Sequence, residues 1–258
     1  MIFIKERVRI LYACESGSRA WGFASSDSDY DVCFIYVRDE KDYLCLNEKR
    51  DVIEWELNEK FDITGWDLKK ALKLAKSSNP SFFEWLKSPI IYKTSSDWVD
   101  FINDFSFSHY FNTKKAVFHY LSIANKHIKR YFAENKTLVN QKKYFYIIRS
   151  ILCAKFIIYA SQNNAQSKIP PIQIEKLLPF VENEKVLSII KNLIEKKNKM
   201  PEKLLGKRIL ELDKWIFETL DFVTSEVQKL NDYFCNDWTR LNNIFFNFVK
   251  NFSNGNKK

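Results

Sequence analysis

Apolar residues near the start of the chain come in short, β-branched runs separated by small, polar and acidic residues. VRILYAC (8–14) reads as a buried strand and YDVCFIYV (30–37) as a second. Between them, residues 15–29 are loop-like, with a helical turn after Ser18. KDYLCL (41–46) suggests a short helix, and DVIEWEL (51–57) alternates as a half-exposed strand does. FDIT (61–64) follows after Asn58-Glu59-Lys60, a polar connection suited to a hairpin. After Gly65 the period lengthens. Leu68, Ala71, Leu72, Leu74 and Ala75 form a helical stripe behind Asp67, a candidate N-cap. Asn79-Pro80 opens a second helix, Pro89 stops it, and Ile90 to Tyr92 suggests a last strand.

Beyond Ser95 strand signals vanish. Helical spacing covers 97–106, 108–134, 140–163, 172–179, 183–198 and 203–230, with a loop at 163–171 and an expected frayed tail, NGNKK. The fold class this predicts is α+β: a mixed β-sheet with helices in residues 1–95, then an all-helical domain in residues 96–258.

Composition sharpens this picture in three places. A hydrophobic content of 46% supports a sizeable core and argues against disorder. The five cysteines are widely spaced without a CxxC pair, which points to free thiols in a reducing compartment. The most apolar stretch, residues 144–160, carries Arg149 and Lys155 and falls short of the roughly 20 apolar residues of a bilayer span. No signal peptide is visible at MIFIKERVRI. The expectation is a cytoplasmic protein without a membrane partner.

Net charge is +9, unevenly spread: 26 of the 41 Lys+Arg but only 14 of the 32 Asp+Glu lie beyond residue 100. Such a basic second half suits a polyanionic partner; a lysine-rich composition that merely gives basic surfaces is the plainer alternative. His109, His119 and His127 lack paired ligand spacing, so zinc is not expected.

The candidate chemistry sits in GSRAWGFASSDSDYDVCF (17–34). Asp29 and Asp31 point the same way if the strand begins there, because side chains alternate along a strand. Two carboxylates so close repel, and a divalent cation resolves the repulsion; Mg²⁺ takes one or two carboxylates plus substrate phosphates. Gly17 lets a phosphate approach the backbone, Ser18 adds a hydroxyl, and Arg19 adds a charged fork. A third acid is needed for two ions. Asp62, between Phe61 and Ile63, is the candidate, provided its strand lies beside 30–37; it is also a candidate general base. Taken alone, an Asp-x-Asp pair more often marks a turn. Asp27 reads as a loop acid or cap, Glu15 as a loop support or an exposed acid, and Trp21 and Phe23 as packing under the loop.

Gly-Ser, about ten residues, Asp-x-Asp on a strand and a later strand acid resemble the DNA-polymerase-β nucleotidyltransferase superfamily. ESGSRAWGFASSDSDYDVCFIYV, DITGWDLKKALKLAKSSNPSFFEWLKSPIIY, and KKYFYIIRSILCAKF followed by PPIQIEKLL resemble the RNA-ligase-associated (RlaP-like) predicted nucleotidyltransferases, over most of residues 10–180. The resemblance implies a two-metal site (Mg²⁺, with Mn²⁺ able to substitute), an NTP donor and a C-terminal helical domain. It departs in two places: few residues precede Val8 where relatives carry a helix, and Cys33 stands where a longer or charged residue is expected. Lys143 and Arg149 share a helix within the family pattern, so either can reach the triphosphate; a solvated basic edge is the alternative.

The resulting expectation is an enzyme that moves a nucleoside monophosphate from an NTP to a hydroxyl and releases pyrophosphate. The expected acceptor is an RNA or DNA end. Nucleotidylation of a protein or small molecule, and a non-catalytic NTP- or RNA-binding module of the same fold, are the alternatives.

Overall fold

The computed structural model describes residues 6–58, 60–104, 107–132, 137–197, 205–233 and 235–255. The chain folds into two compact units. One comprises Met1–Gly17, Asp29–Tyr110 and Phe234–Lys258; the other comprises Ser18–Ser28 and Phe111–Tyr233.

The first unit is built on a five-stranded sheet. Its strands are β1 (Arg9–Glu15), β2 (Tyr30–Val37), β3 (Val52–Asn58), β4 (Phe61–Asp67) and β5 (Ile91–Thr94), in the order β3-β4-β2-β1-β5. The β2–β4 pair is parallel and the other three are antiparallel, so the sheet is mixed. The parallel pair puts Tyr30 beside Phe61, Asp31 beside Asp62 and Val32 beside Ile63. On one face Ala13, Phe34, Tyr36, Ile53 and Ile63 form a core. A methyl group on Gly65 would lie 2.1–2.6 Å from the Phe34 ring, so glycine here is required by the close approach of that ring.

A turn of helix, α1 (Gly17–Ala20), follows β1, and α2 (Glu40–Tyr43) follows β2. The Asp67 carboxylate then caps α3 (Leu68–Lys76), accepting from Lys69 N–H at 2.8 Å. Asn79 caps α4 (Pro80–Leu86) in the same way, with Pro80 inside the first turn. Trp66 stacks on Trp85, with centroids 3.5 Å apart. After α5 (Ser96–Asp104) the chain leaves this unit and returns in its last helix, where Trp98 and Phe101 meet Phe248 and Tyr43 meets Phe245.

The second unit is helical: α6 (Thr113–Tyr131), α7 (Lys142–Gln162), α8 (Glu184–Lys197) and α9 (Leu210–Glu226). Its core surrounds α7, in which 15 of 21 residues are buried, hence the nearly unbroken apolar run. By length and composition α7 could cross a membrane, but 78% of its most apolar window is buried inside the protein. Tyr144 on α7 donates to Asp213 at 2.6 Å and accepts from Ile209 N–H at 3.1 Å, while Arg208 Nε donates to Asp213 at 2.8 Å.

The architecture is the expected one, a mixed sheet with helices followed by a helical region. Details differ. Strand pairing does not end at residue 95: β6 (Leu138–Asn140) and β7 (Leu205–Lys207) form a short antiparallel ribbon, too brief for a period-2 signal to show. The helix expected at 172–179 is two 3₁₀ turns, split by Leu177 ahead of Pro179. A helix absent from the sequence reading, α10 (Thr239–Gly255), buries Leu241, Phe248 and Val249; its many asparagines hide the stripe. Residues 1–5, Glu59 in the β3–β4 connection and residues 256–258 of the tail lie outside the described residues.

Candidate active site

Within the sheet unit, β1 ends where β2 and β4 begin to run side by side. The register sets Asp31 directly beside Asp62. Neighbouring parallel strands lie about 4.8 Å apart, and registered residues face the same way, so both carboxylates stand on one face at the strand entrance. Asp62 is exposed and Asp31 half-buried. Asp29 lies one residue before β2 and is exposed. The next residue along the Asp31 face is Cys33, buried as expected. Its thiol is pushed up first by burial and then by Cys14; a hydrogen bond with Ser16 opposes this, and the negative charges of Asp31 and Asp62 add to it. The fields of both carboxylates therefore converge beside Cys33.

The approach to Asp31 is fixed from the backbone. Ser16 N–H donates to the Asp31 carbonyl at 2.8 Å. Gly17 adopts φ +58°, and a Cβ there would sit 1.7 Å from Asp31 Oδ2. Only glycine satisfies both demands, because the left-handed region and the missing Cβ are needed together. Glu15 is completely buried, and its carboxylate accepts from Asp31 N–H at 3.0 Å and from the Tyr92 hydroxyl. Its carbonyl accepts from Ser88 Oγ at 2.6 Å, and its N–H donates to the Ile90 carbonyl at 2.9 Å. Of the two sequence readings of Glu15, support of the loop is the observed one. Tyr92 and Ser88 were not singled out from the sequence, because a Tyr on an exposed edge strand and a Ser before a proline carry no distinguishing pattern.

The family match now has a geometry to rest on. The family model described as "RNA repair pathway DNA polymerase beta family" (RlaP) matches residues 2–247. The chain belongs to this family. A protein of Bacillus subtilis (strain 168), named "Uncharacterized protein YcgL", is 34% identical over 244 residues, which is 94% of this chain and 90% of that protein. Membership in the RlaP family points to a nucleotidyltransferase-type role.

The remaining candidates lie in the helical unit. Ser18 accepts at its carbonyl from Phe23 N–H at 3.1 Å, and Arg19 donates to the Ser28 carbonyl at 2.7 Å. The Ser25 and Ser28 hydroxyls are 3.0 Å apart, and Lys142 Nζ, buried at the start of α7, donates to Ser25 Oγ at 3.1 Å. Phe23 is buried and stacks on Phe145, so it packs under the loop as expected. Arg149 is also buried: its guanidinium lies 4.3 Å from the Trp21 ring centroid, and Nε donates to the Ile172 carbonyl at 3.0 Å. Lys143 sits over the rings of Tyr146 and Tyr131. Lys142 was missed beside Lys143, because residue type alone does not tell the two apart; only the phase of the helix does.

The fit of a metal ion follows from the donor set. Among the described residues, no group of three or more His, Cys, Asp or Glu is gathered closely enough to hold a metal ion. The registered Asp31–Asp62 pair offers hard carboxylate oxygens and fits a cation that retains several waters and completes its shell from a phosphate ligand, as Mg²⁺ does.

Proposed function

We propose that this protein transfers a nucleoside monophosphate from an NTP to a hydroxyl acceptor and releases pyrophosphate. The observation that carries the reading is the registered pair Asp31–Asp62 at the strand entrance, beside a Gly17 that tolerates no side chain. Family membership gives the class of chemistry.

In the reaction an acceptor oxygen forms a bond to the α-phosphorus, the α–β phosphoanhydride bond breaks, and pyrophosphate leaves with the electron pair. Asp31 and Asp62 would hold Mg²⁺, with Mn²⁺ able to substitute, whereas Asp29 is not gathered with them and would have to approach for a second ion; a bound cation would supply charge neutralisation of the phosphates. Asp62, the exposed member of the pair, is assigned to take the acceptor proton. Gly17 and Ser18 are assigned to the β- and γ-phosphates, with Arg19, Lys143 and Arg149 as further cationic candidates. Of these Arg149 is the weakest, since its guanidinium is buried on Trp21. The acceptor we assign is an RNA or DNA end in the cytoplasm, supported by the basic second half of the chain and by the family's RNA-repair description.

The test incubates the protein with each α-labelled NTP, Mg²⁺ or Mn²⁺, and an RNA pool or a cell lysate. Asp31→Ala and Asp62→Ala proteins, checked for folding, serve as controls. Label on nucleic acid that both variants lose supports the reading. Label that persists in both overturns the site, and label found only on protein overturns the acceptor.

A further inference from the structure

The same two strands that start with the carboxylate pair end at a cavity of about 490 Å³ in the sheet unit. Arg38, one residue past β2, and Asp67, the last residue of β4, both line it. Seven residues of extended chain separate Asp31 from Arg38, about 23 Å at roughly 3.3 Å per residue. The cavity is therefore a separate place, within the 300–1,000 Å³ or so typical of small-molecule sites.

Six cationic and four acidic side chains line it, and most of the acids are already engaged. Lys49 pairs with Asp42 at 2.5 Å and Lys70 with Asp51 at 3.1 Å. Asp67 accepts from Lys69 N–H and from the Tyr43 hydroxyl at 2.9 Å. Burial is the first cause that raises its pKa, so its negative charge is held reluctantly. One feature is left over. Lys69 and Lys73 stand one helical turn apart on α3, both exposed, and among the described residues no ion pair engages either. Such an i,i+4 pair of like charges is mildly destabilising by itself. Arg38, only 7% exposed, donates from one terminal nitrogen to the Glu6 carbonyl at 3.3 Å. Its Nε is shielded from solvent and forms a buried ion pair with Asp67 Oδ2 at 4.0 Å, so Arg38 is engaged as Lys49 and Lys70 are.

The geometry points to a second ligand site here, for a phosphate monoester of nucleotide or sugar-phosphate size, with Lys69 and Lys73 on the phosphate. Two ammonium groups one helical turn apart can share the terminal oxygens of a monoester. The cavity is far larger than a bare phosphate, and Tyr43 and Glu48 on its wall offer polar contacts to hydroxyls. This assignment stands independently of the transferase reading, because it uses none of the residues assigned there.

The experiment is calorimetric titration of the full chain with AMP, ribose 5-phosphate and inorganic phosphate. It is done in EDTA, so that phosphate binding through a cation at the carboxylate pair is removed. Three proteins are compared: wild type, Lys69→Glu/Lys73→Glu, and Asp31→Asn/Asp62→Asn. The lysines are surface residues, so the double variant is expected to keep the wild-type melting temperature. The expected result is that at least one monoester binds wild type and the Asp variant alike, and binds the Lys variant at least about tenfold more weakly, a loss of about 1.4 kcal/mol. The proposal is overturned if neither monoester binds wild type, if the Lys variant binds undiminished, or if only the Asp variant loses binding. Inorganic phosphate binding as tightly as both esters overturns the monoester assignment.

Discussion

Replacing Gly17 with alanine adds one methyl group at the most confined point of the candidate site. Two separable penalties follow. The first is backbone strain: at φ +58° an L-residue pays about 1–2 kcal/mol relative to glycine. The second is steric, since the new Cβ would lie 1.7 Å from Asp31 Oδ2 and 2.6 Å from its Cγ. The Asp31 backbone cannot simply retreat, because Ser16 N–H and the buried Glu15 carboxylate hold both of its peptide groups. The carboxylate must leave its rotamer instead, at about 0.5–1.5 kcal/mol. Together these give about 1.5–3.5 kcal/mol of destabilisation, a fall in melting temperature of roughly 3–14 °C for a chain of this size. The consequence for function is larger. A displacement of about 1 Å of a positioning group can cost on the order of 100-fold in rate. Gly22→Ala is the matched control, since φ is +84° there and nothing lies within 4 Å of its Cβ position. It incurs the backbone term alone and is expected to lower the melting temperature while leaving turnover nearly unchanged. The assay is pyrophosphate release from NTP together with a thermal melt of each variant. If folded Gly17→Ala keeps turnover within roughly threefold of wild type, or Gly22→Ala loses as much, the link between the Gly17 gap and the Asp31 carboxylate is wrong.

Tyr144→Phe removes a hydroxyl that serves Asp213 and Ile209 N–H inside the helical unit, and is expected to destabilise by about 1–3 kcal/mol in urea unfolding; Tyr159→Phe, on a half-exposed ring, should change little. Alkylation at neutral pH, read by mass spectrometry, should label exposed Cys45 first and spare Cys14, Cys33 and Cys153, since all three are buried and burial is the main cause that pushes the Cys14 thiol up to about 12. His127 lies against Tyr131 and Tyr146, and its pKa is lowered by burial first and then by Lys143, Lys126 and Arg130. The unfolded chain therefore binds that proton more readily than the folded one, so stability falls as pH drops from the ordinary value of 6.5 through the lowered folded value. His127→Phe should flatten the urea midpoint between about pH 7.5 and about pH 5, and an unchanged slope refutes the assignment.

The strands were legible where burial imposes a period. Val32 to Val37 is a continuous apolar run because the strand is central, and the start of β4 could be placed because Phe61 and Ile63 bracket an acid. The helix cap at Asp67 was legible because a cap is a local device of one side chain and one N–H, and the start of the next helix was legible from Pro80. What escaped was relational. Nothing local says that Lys142, and not Lys143, turns inward to Ser25; one residue of helical phase, about 100°, decides it. Arg149 read as a candidate phosphate ligand by its charge, yet its guanidinium rests on Trp21, more than a hundred residues away in sequence. The helix Thr239–Gly255 was unread because its asparagines lower intrinsic propensity, and only packing against Trp98 and Tyr43 makes the stripe visible.

The register of β2 on β4 ties these observations together. A strand shifted by one residue would turn Asp62 to the opposite face and place it in the core with Val32 and Phe34, at the cost of a buried, unpaired carboxylate. Ile63 would then leave that core for solvent. The hydrophobic pattern that makes Ile63 meet Val32 thus also makes Asp62 meet Asp31, and the two acids lie side by side because their apolar neighbours are held there. Their mutual repulsion is tolerable because both stand at the strand entrance, one exposed and one half-buried, where water screens them. The pair is therefore placed by the core, while Gly17 and Glu15 decide only how Asp31 is aimed.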